Sequence, residues 1–319
     1  TRQGFDEYFG IPYSNDMGTE QFSINPPLPL LRNENVIEAP VDQTTITGRY
    51  TEEALRFIRK HQTDPFFLYL PHTMPHHPVH VSEEFKGQSE NGLYADCIEE
   101  IDWSTGQILN LLEELNLSEK TLVIFTSDNG AAKQWGGSNA PLSGYKGSVM
   151  EGGMRVPCVA HWPGQIPAGH SSLELTSTLD LFPTLVALTG GELPTDRHID
   201  GKDIWNILTD VEGATTPHSV FYYYRQDQLQ AIRAGKWKLH LPLAVVGPNA
   251  DASAKSPPRL YNLEIDIAEE MNLADKQPEK VAELIALADI AREDLGDREL
   301  IGKGVRPAGL VDRPVPLVK

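Results

Sequence analysis

Cysteine is nearly absent from this sequence. Of 319 residues only Cys97 and Cys158 are cysteines, and their spacing makes neither a zinc site nor a redox pair. Two buried thiols are expected, with one disulfide as the alternative. Basic clusters are missing as well. Lys and Arg total 27 against 45 Asp and Glu, a formal charge of -18, and no basic run occurs. Phosphate contacts need a concentrated positive face, so nucleic acid is not an expected partner. Any anionic substrate must find positive charge local to a pocket. No apolar run is long enough for a transmembrane helix, and the opening "TRQGFDEYFG" carries neither an initiator Met nor a signal-like segment.

What is present is an alternation of helical and strand-like patterns. In "YTEEALRFIRK" (50–60), Tyr50, Ala54, Phe57 and Ile58 share one side of a helix. "PFFLYL" (65–70) is a short continuous apolar run, as expected of a strand covered on both faces. Ile98, Ile101, Thr105, Ile108, Leu112 and Leu115 then mark a long amphipathic helix leading into "TLVIF" (121–125). Strand, helix, strand is a crossover unit, so these two strands are expected to be parallel neighbours. "VPCVAHW" reads as a third strand and "LDLFPTLVAL" as a helix. The fold class is therefore α/β, a doubly wound, mostly parallel sheet with helices on both faces.

Past residue 215 the pattern changes. "SVFYYYR", "LQAIRAG", "KWKLHL" and "RLYNL" are short, closely spaced strand patterns, with a Gly-containing turn between the second and third. They read as an antiparallel meander, interrupted by a flexible loop at "ASAKSPP". Val281, Leu284, Ile285, Ala288 and Leu295 mark a final helix packed on it. The expected division is a large domain over 1–215 and a small antiparallel-sheet subdomain with its tail over 216–319.

Polar clusters follow the strand patterns, where loops of open α/β sheets gather ligands. "LVIFTSDNG" runs from apolar residues straight into Asp128, Asn129 and Gly130. Side-chain oxygens of this kind suit a hard cation, although Asp-Asn-Gly is also ordinary turn chemistry. "LPHTMPHHPVH" places His72, His76, His77 and His80 among prolines, where one imidazole could act as an acid or an anion donor. "LSGYKGSVMEGGMRVP" sets Lys146 between glycines, and "GIPYSNDMG" carries Ser14 in a loop. Trp135 reads either as a platform for a sugar ring or as a half-buried structural residue, and Lys133 either as an anion contact or as a solvated lysine.

In this order, "IPYSND", "MPHHP", "TSDNG" and "GYKGSVMEGGMRVP" resemble the type I sulfatases, the arylsulfatase branch of the alkaline phosphatase superfamily. The tail phrases "AIRAGKWKLHL" and "LYNLEIDIAEEMNLADKQPE" resemble that family's C-terminal small domain. The resemblance implies that Asp128 and Asn129 are two protein ligands of a calcium ion. It implies that Lys146 and His76 meet the sulfate and bridging oxygens as catalytic and substrate-binding groups, with Ser14 a substrate-side residue at the edge. These ends are expected to share one cavity at the carboxyl edge of the large sheet, with His77 and His80 mattering less than His76.

The family's formylglycine nucleophile arises within a Cys-or-Ser, any, Pro, any, Arg sequence, and none is present here. Cys97 in "YADCIEE" and Cys158 in "VPCVA" do not fit it. Two further aspartates of the calcium site and a Lys-any-His element are also missing. The expectation is an N-terminally truncated sulfatase, inactive alone, whose formylglycine lies in the missing segment, acting on a sulfated carbohydrate or aryl sulfate and exported by family analogy. The alternatives are a phosphonate or phosphodiester hydrolase of the same superfamily, and a non-catalytic sulfated-glycan binding protein.

Overall fold

The computed structural model describes residues 1, 4–18, 27–244, 255–298, 300–306, 310 and 312–313. They fall into two compact units, Thr1–Thr121 with Lys133–Gly137 and Leu310–Lys319, and Leu122–Ala132 with Ser138–Gly309.

The first unit opens with a small antiparallel sheet, β1 (Phe9–Gly10), β2 (Leu30–Arg32) and β3 (Asn35–Glu38), in the order β1-β2-β3. Asn33, at φ 54, takes the left-handed conformation that Asn tolerates and lets β2 turn back into β3. Helix α1 (Ile46–Lys60) follows a turn capped by the Asp42 carboxylate, which accepts from Thr44 N. It buries Ile46, Tyr50, Ala54 and Ile58 at steps of four and ends in Arg59 and Lys60, where cations complement the helix dipole. Helix α2 (Leu93–Glu114) buries Cys97, Ile101, Leu111 and Leu112. Ile101 and Leu112 are buried as expected, whereas Ile98 is 43% exposed and Cys97 is buried in its place. The core gathers Leu28, Leu30, Val41, Ile46, Tyr50, Met74, Cys97 and Ile101. The Thr51 hydroxyl donates to Ser104 Oγ at 2.6 Å, and Ser104 lies 3.4 Å from His72 Nε2.

"PFFLYL" is where pairing departs from expectation. Among the described residues it joins no ladder, and Phe67 and Tyr69 are 61% and 66% exposed while Phe66, Leu68 and Leu70 are half-buried. An apolar run reports a preference for burial and extension, but a strand also needs a facing row of backbone donors and acceptors.

In the second unit, β4 (Val123–Thr126) pairs antiparallel with β5 (Cys158–His161), across the short helix α3 (Glu151–Met154) that lies between them in sequence. "TLVIF" is therefore paired with "VPCVAHW" and not with "PFFLYL". Helix α4 (Leu181–Leu188) follows a turn started by a capping box between Ser177 and Asp180, and α5 (Trp205–Leu208) is a single turn. Then comes the expected meander: β6 (Phe221–Arg225), β7 (Gln228–Ala234), β8 (Trp237–His240) and β9 (Arg259–Asn262), all antiparallel and in sequence order. Gly235, at φ 55, makes the tight β7–β8 turn. The first three residues of the "ASAKSPP" loop lie outside the described residues. Helix α6 (Pro278–Leu295) sets Leu284, Ala288 and Ala291 against Leu229, Ile232, Leu239 and Leu260, with Pro278 at the start where its missing N–H costs nothing.

Both cysteines are free thiols. Cys97 is buried as expected, and burial pushes its thiol up to about 12. Cys158 is exposed, which corrects the reading of two buried thiols. It is the first residue of β5, paired across from Thr126. No helix among the described residues is long and apolar enough to cross a membrane.

Candidate active site

In the first unit the candidate residues Ser14 and His76 line one cleft of about 240 Å³, together with Tyr13, Asn15 and Thr73. Asn15 is 1% exposed and clamps the loop that carries His76. Its amide nitrogen donates to Gln43 Oε1 at 3.1 Å, His76 O at 3.3 Å and Pro78 O at 3.0 Å. That arrangement leaves Asn15 Oδ1 as the acceptor facing His76 Nδ1 at 3.0 Å. An amide oxygen can only accept, so Nδ1 carries the proton and Nε2 is the nitrogen left for a ligand. The Tyr13 hydroxyl is buried with no hydrogen-bond partner among the described residues. A buried hydroxyl without a protein partner can serve a bound polar group.

The other three histidines of this segment divide their roles. His72 is buried beside Ser104, and desolvation lowers it to about 4, which makes it a neutral structural group. His77 stacks on Trp135, ring centroids 3.4 Å apart and planes 6° from parallel. Burial lowers His80, opposed by the Asp42 carboxylate.

In the second unit the candidates Asp128, Asn129 and Lys146 lie on two loops locked backbone to backbone. Gly130 N donates to Gly153 O at 3.2 Å, and Lys146 N donates to Ala131 O at 3.0 Å. Asn139 bridges the same loops, accepting from Ala131 N at 2.8 Å and donating to Ala131 O and Gly144 O, each at 3.1 Å. A Cβ on Gly130 would lie 1.8 Å from Gly152 O, so only glycine permits this approach. The Lys146 side chain is exposed and enters none of the ion pairs among the described residues. Asn129 Nδ2 donates to Asp128 Oδ1, and Asn129 Oδ1 is buried with no partner. A carboxylate beside an unpartnered amide oxygen is a donor pair of the right hardness for calcium. Two residues are fewer than that ion requires, and no group of three or more His, Cys, Asp or Glu among the described residues could hold a metal.

Sequence reasoning missed what supports these loops. Glu151, at the start of α3, sits 2.7 Å from Lys238 Nζ, and Lys238 is fully buried. Glu269 Oε2 accepts from Glu151 N at 2.6 Å, while its Oε1 lies 3.2 Å from Lys238 Nζ and 2.6 Å from His240 Nε2. Burial raises the Glu269 carboxyl, but the His240 hydrogen bond, the Lys238 charge and the Glu151 N–H together hold it below its usual range. This buried cluster ties the C-terminal sheet to the "EGGM" turn, and through Gly152 and Gly153 to the Asp128 loop. "KWKLHL" is legible as a strand but not as the source of a buried cation, since an alternating lysine ordinarily marks a solvated face. Asn15 had no signal beyond its place beside Ser14.

Comparison with known proteins gives these residues a context. The sulfatase family model matches residues 1–191, and the model for the C-terminal region of aryl-sulfatase matches 216–298. The chain is 42% identical over 254 residues to N-acetylgalactosamine-6-sulfatase of Canis lupus familiaris, covering 75% of this chain and 48% of that protein. It is 41% identical over 212 residues to human steryl-sulfatase, covering 64% of this chain and 36% of that protein. The chain thus spans about half the length, or less, of these curated relatives. Among solved structures, Ps i-CgsB in complex with k-i-k-neocarrahexaose superposes with a TM-score of 0.75 at 27% identity, over 95% of this chain and 70% of that one. The α/β class expected from the sequence is that of this neighbour, and two family models covering most of the chain establish that it belongs to the sulfatase family.

Proposed function

We propose that the protein carrying this chain hydrolyses sulfate monoesters, acting on a sulfated carbohydrate or an aryl sulfate. The observation that carries the reading is the His76 cleft, where Asn15 holds Nδ1–H and leaves Nε2 facing substrate chemistry. Breaking a sulfate ester moves negative charge onto the leaving oxygen. An imidazolium at Nε2 can hand that oxygen its proton, and the Lys146 ammonium can bind the sulfate oxygens as their charge redistributes. Ser14 borders the same cleft and offers a hydroxyl to the ester.

Asp128 and Asn129 would hold a calcium ion with further ligands, and the unpartnered Asn129 oxygen fits that role. When bound, the ion would supply positive charge beside the sulfate. The formylglycine nucleophile of the resemblance has no counterpart sequence in these 319 residues. The division into 1–215 and 216–319 is kept in this reading, supported by the gap between the two family-model matches at 191 and 216. Export is proposed on the resemblance alone.

The test is sulfate release, followed by ion chromatography with calcium present, from an aryl sulfate and a 6-sulfated hexosamine. It should be run on this chain and on the product of the reading frame that contains it. His76→Ala and Lys146→Ala in the active form should each lower turnover at least about 100-fold. Preferential cleavage of a phosphonate monoester would replace the reading with the hydrolase alternative. Tight binding of sulfated glycan with no release from any form would replace it with the binding protein.

A further inference from the structure

We propose that the open face of Trp135 is the platform for a pyranose ring adjoining the sulfated position of the substrate. The proposal rests on the sulfatase reading of the His76 cleft and names the part of the substrate that the cleft cannot hold.

Four observations within the first unit carry it. The indole is backed on one face by the His77 imidazole, 3.4 Å away and 6° from parallel, and Trp135 is nonetheless 39% exposed. A flat ring stacked on one side and still exposed can receive a second flat surface. His77 follows His76 directly, and consecutive Cα atoms are about 3.8 Å apart, so the platform begins one residue from the cleft. Asn15 clamps the carbonyls on both sides of His77, at His76 and at Pro78, so the supporting imidazole sits on a fixed backbone. Finally, the cleft of about 240 Å³ is below the roughly 300–1,000 Å³ of sites that enclose a whole ligand. A sulfate and part of one ring fill it, and the rest of a larger substrate must lie outside.

A single half-exposed aromatic face favours a sugar. A pyranose has one face of C–H groups that can lie on the electron-rich indole while its hydroxyls stay in water. A steroid is apolar on both faces and gains most from enclosure.

The experiment titrates the 319-residue chain and its Trp135→Ala, Trp135→Phe and His77→Ala variants with three probes: a sulfated trisaccharide, a steroid sulfate and inorganic sulfate. Calorimetry gives affinity, NMR follows the Trp135 indole N–H, and thermal melts confirm folding of each variant. Trp135→Ala should weaken the trisaccharide about tenfold and leave inorganic sulfate unchanged. Trp135→Phe should keep most of the affinity, His77→Ala should lose an intermediate amount, and the indole resonance should move only with the saccharide. Equal trisaccharide affinity in Trp135→Ala, no saccharide binding by the unaltered chain, or an equal loss for the steroid sulfate would each overturn the platform. Sulfate release from an aryl sulfate alongside an unchanged Trp135→Ala affinity would leave the hydrolase reading standing and remove only this inference. Saccharide binding through Trp135 without release from any form would do the reverse.

Discussion

The His76 cleft and the Asp128 turn hold their candidate residues by opposite means. His76 is oriented by one side chain, the Asn15 amide, which spends three contacts on backbone and side-chain acceptors and one on the imidazole. Asp128 and Asn129 are placed by backbone, through glycines whose missing Cβ atoms let two loops touch, and through a buried charge cluster behind them. An orientation set by one amide can be retuned by one substitution. A turn set by backbone contact should be all-or-none.

The sharpest test of the second arrangement is Lys238→Met, which fits the volume but leaves buried Glu151 with only Arg233, 3.9 Å away, and Glu269 with only His240. Stability measured by urea unfolding should fall by about 3–5 kcal/mol at neutral pH. Part should return on acidification, because the stranded carboxyls can then take up protons. A loss under 1 kcal/mol would show that the cluster does not brace the turn. Gly130→Ala comes next, at about 3 kcal/mol, since its Cβ meets backbone atoms that cannot rotate away. The comparison breaks if this variant melts like the unaltered chain.

The first unit should show a pH dependence centred on His72. Its folded value of about 4 lies below its ordinary 6.5, so the unfolded chain binds the proton first as pH falls. Stability is therefore unaffected above about 6.5 and declines between 6.5 and 4, by on the order of 3 kcal/mol in total. His72→Gln should flatten that part of a melting-temperature series, and an unchanged slope would assign the effect elsewhere. Asn15→Ala should cost about 1–2 kcal/mol for the carbonyls it abandons. It should also mix the His76 tautomers, visible in nitrogen chemical shifts of the ring. A pure Nδ1–H signal in that variant would mean another group orients the imidazole. Smallest of all is Gly48→Ala on α1, where nothing lies within 4 Å. It should stabilise by less than about 1 kcal/mol, showing that glycine matters by position and not by type.

Much of the C-terminal region was legible residue by residue. Short strand patterns joined by a Gly-containing turn have one economical arrangement, the meander, because neighbours in sequence pair locally. "PFFLYL" and "TLVIF" were legible as extended apolar runs and not as partners. Their pairing depends on which distant backbone edge meets them, and β5 is the edge that β4 meets. Ser14, His76, Asp128, Asn129 and Lys146 were picked out by phrase, and Ser14 and His76 line one cleft in the first unit. The residues behind them, Asn15, Glu151, Lys238 and Glu269, were not, since a buried amide or lysine reads like a solvated one until its surroundings exist.

By itself the sequence determined where the four longer helices and the meander lie, which family phrases are present and that any anion site must be locally basic. These follow from periodicity, turn chemistry and charge, which act over a few residues. Tertiary structure alone decided the His76 tautomer, the ring that stacks on Trp135 and the burial of Lys238 among carboxylates. Each of these depends on a hydrogen bond or a desolvation between residues far apart in the chain, and such energies exist only once the chain has folded.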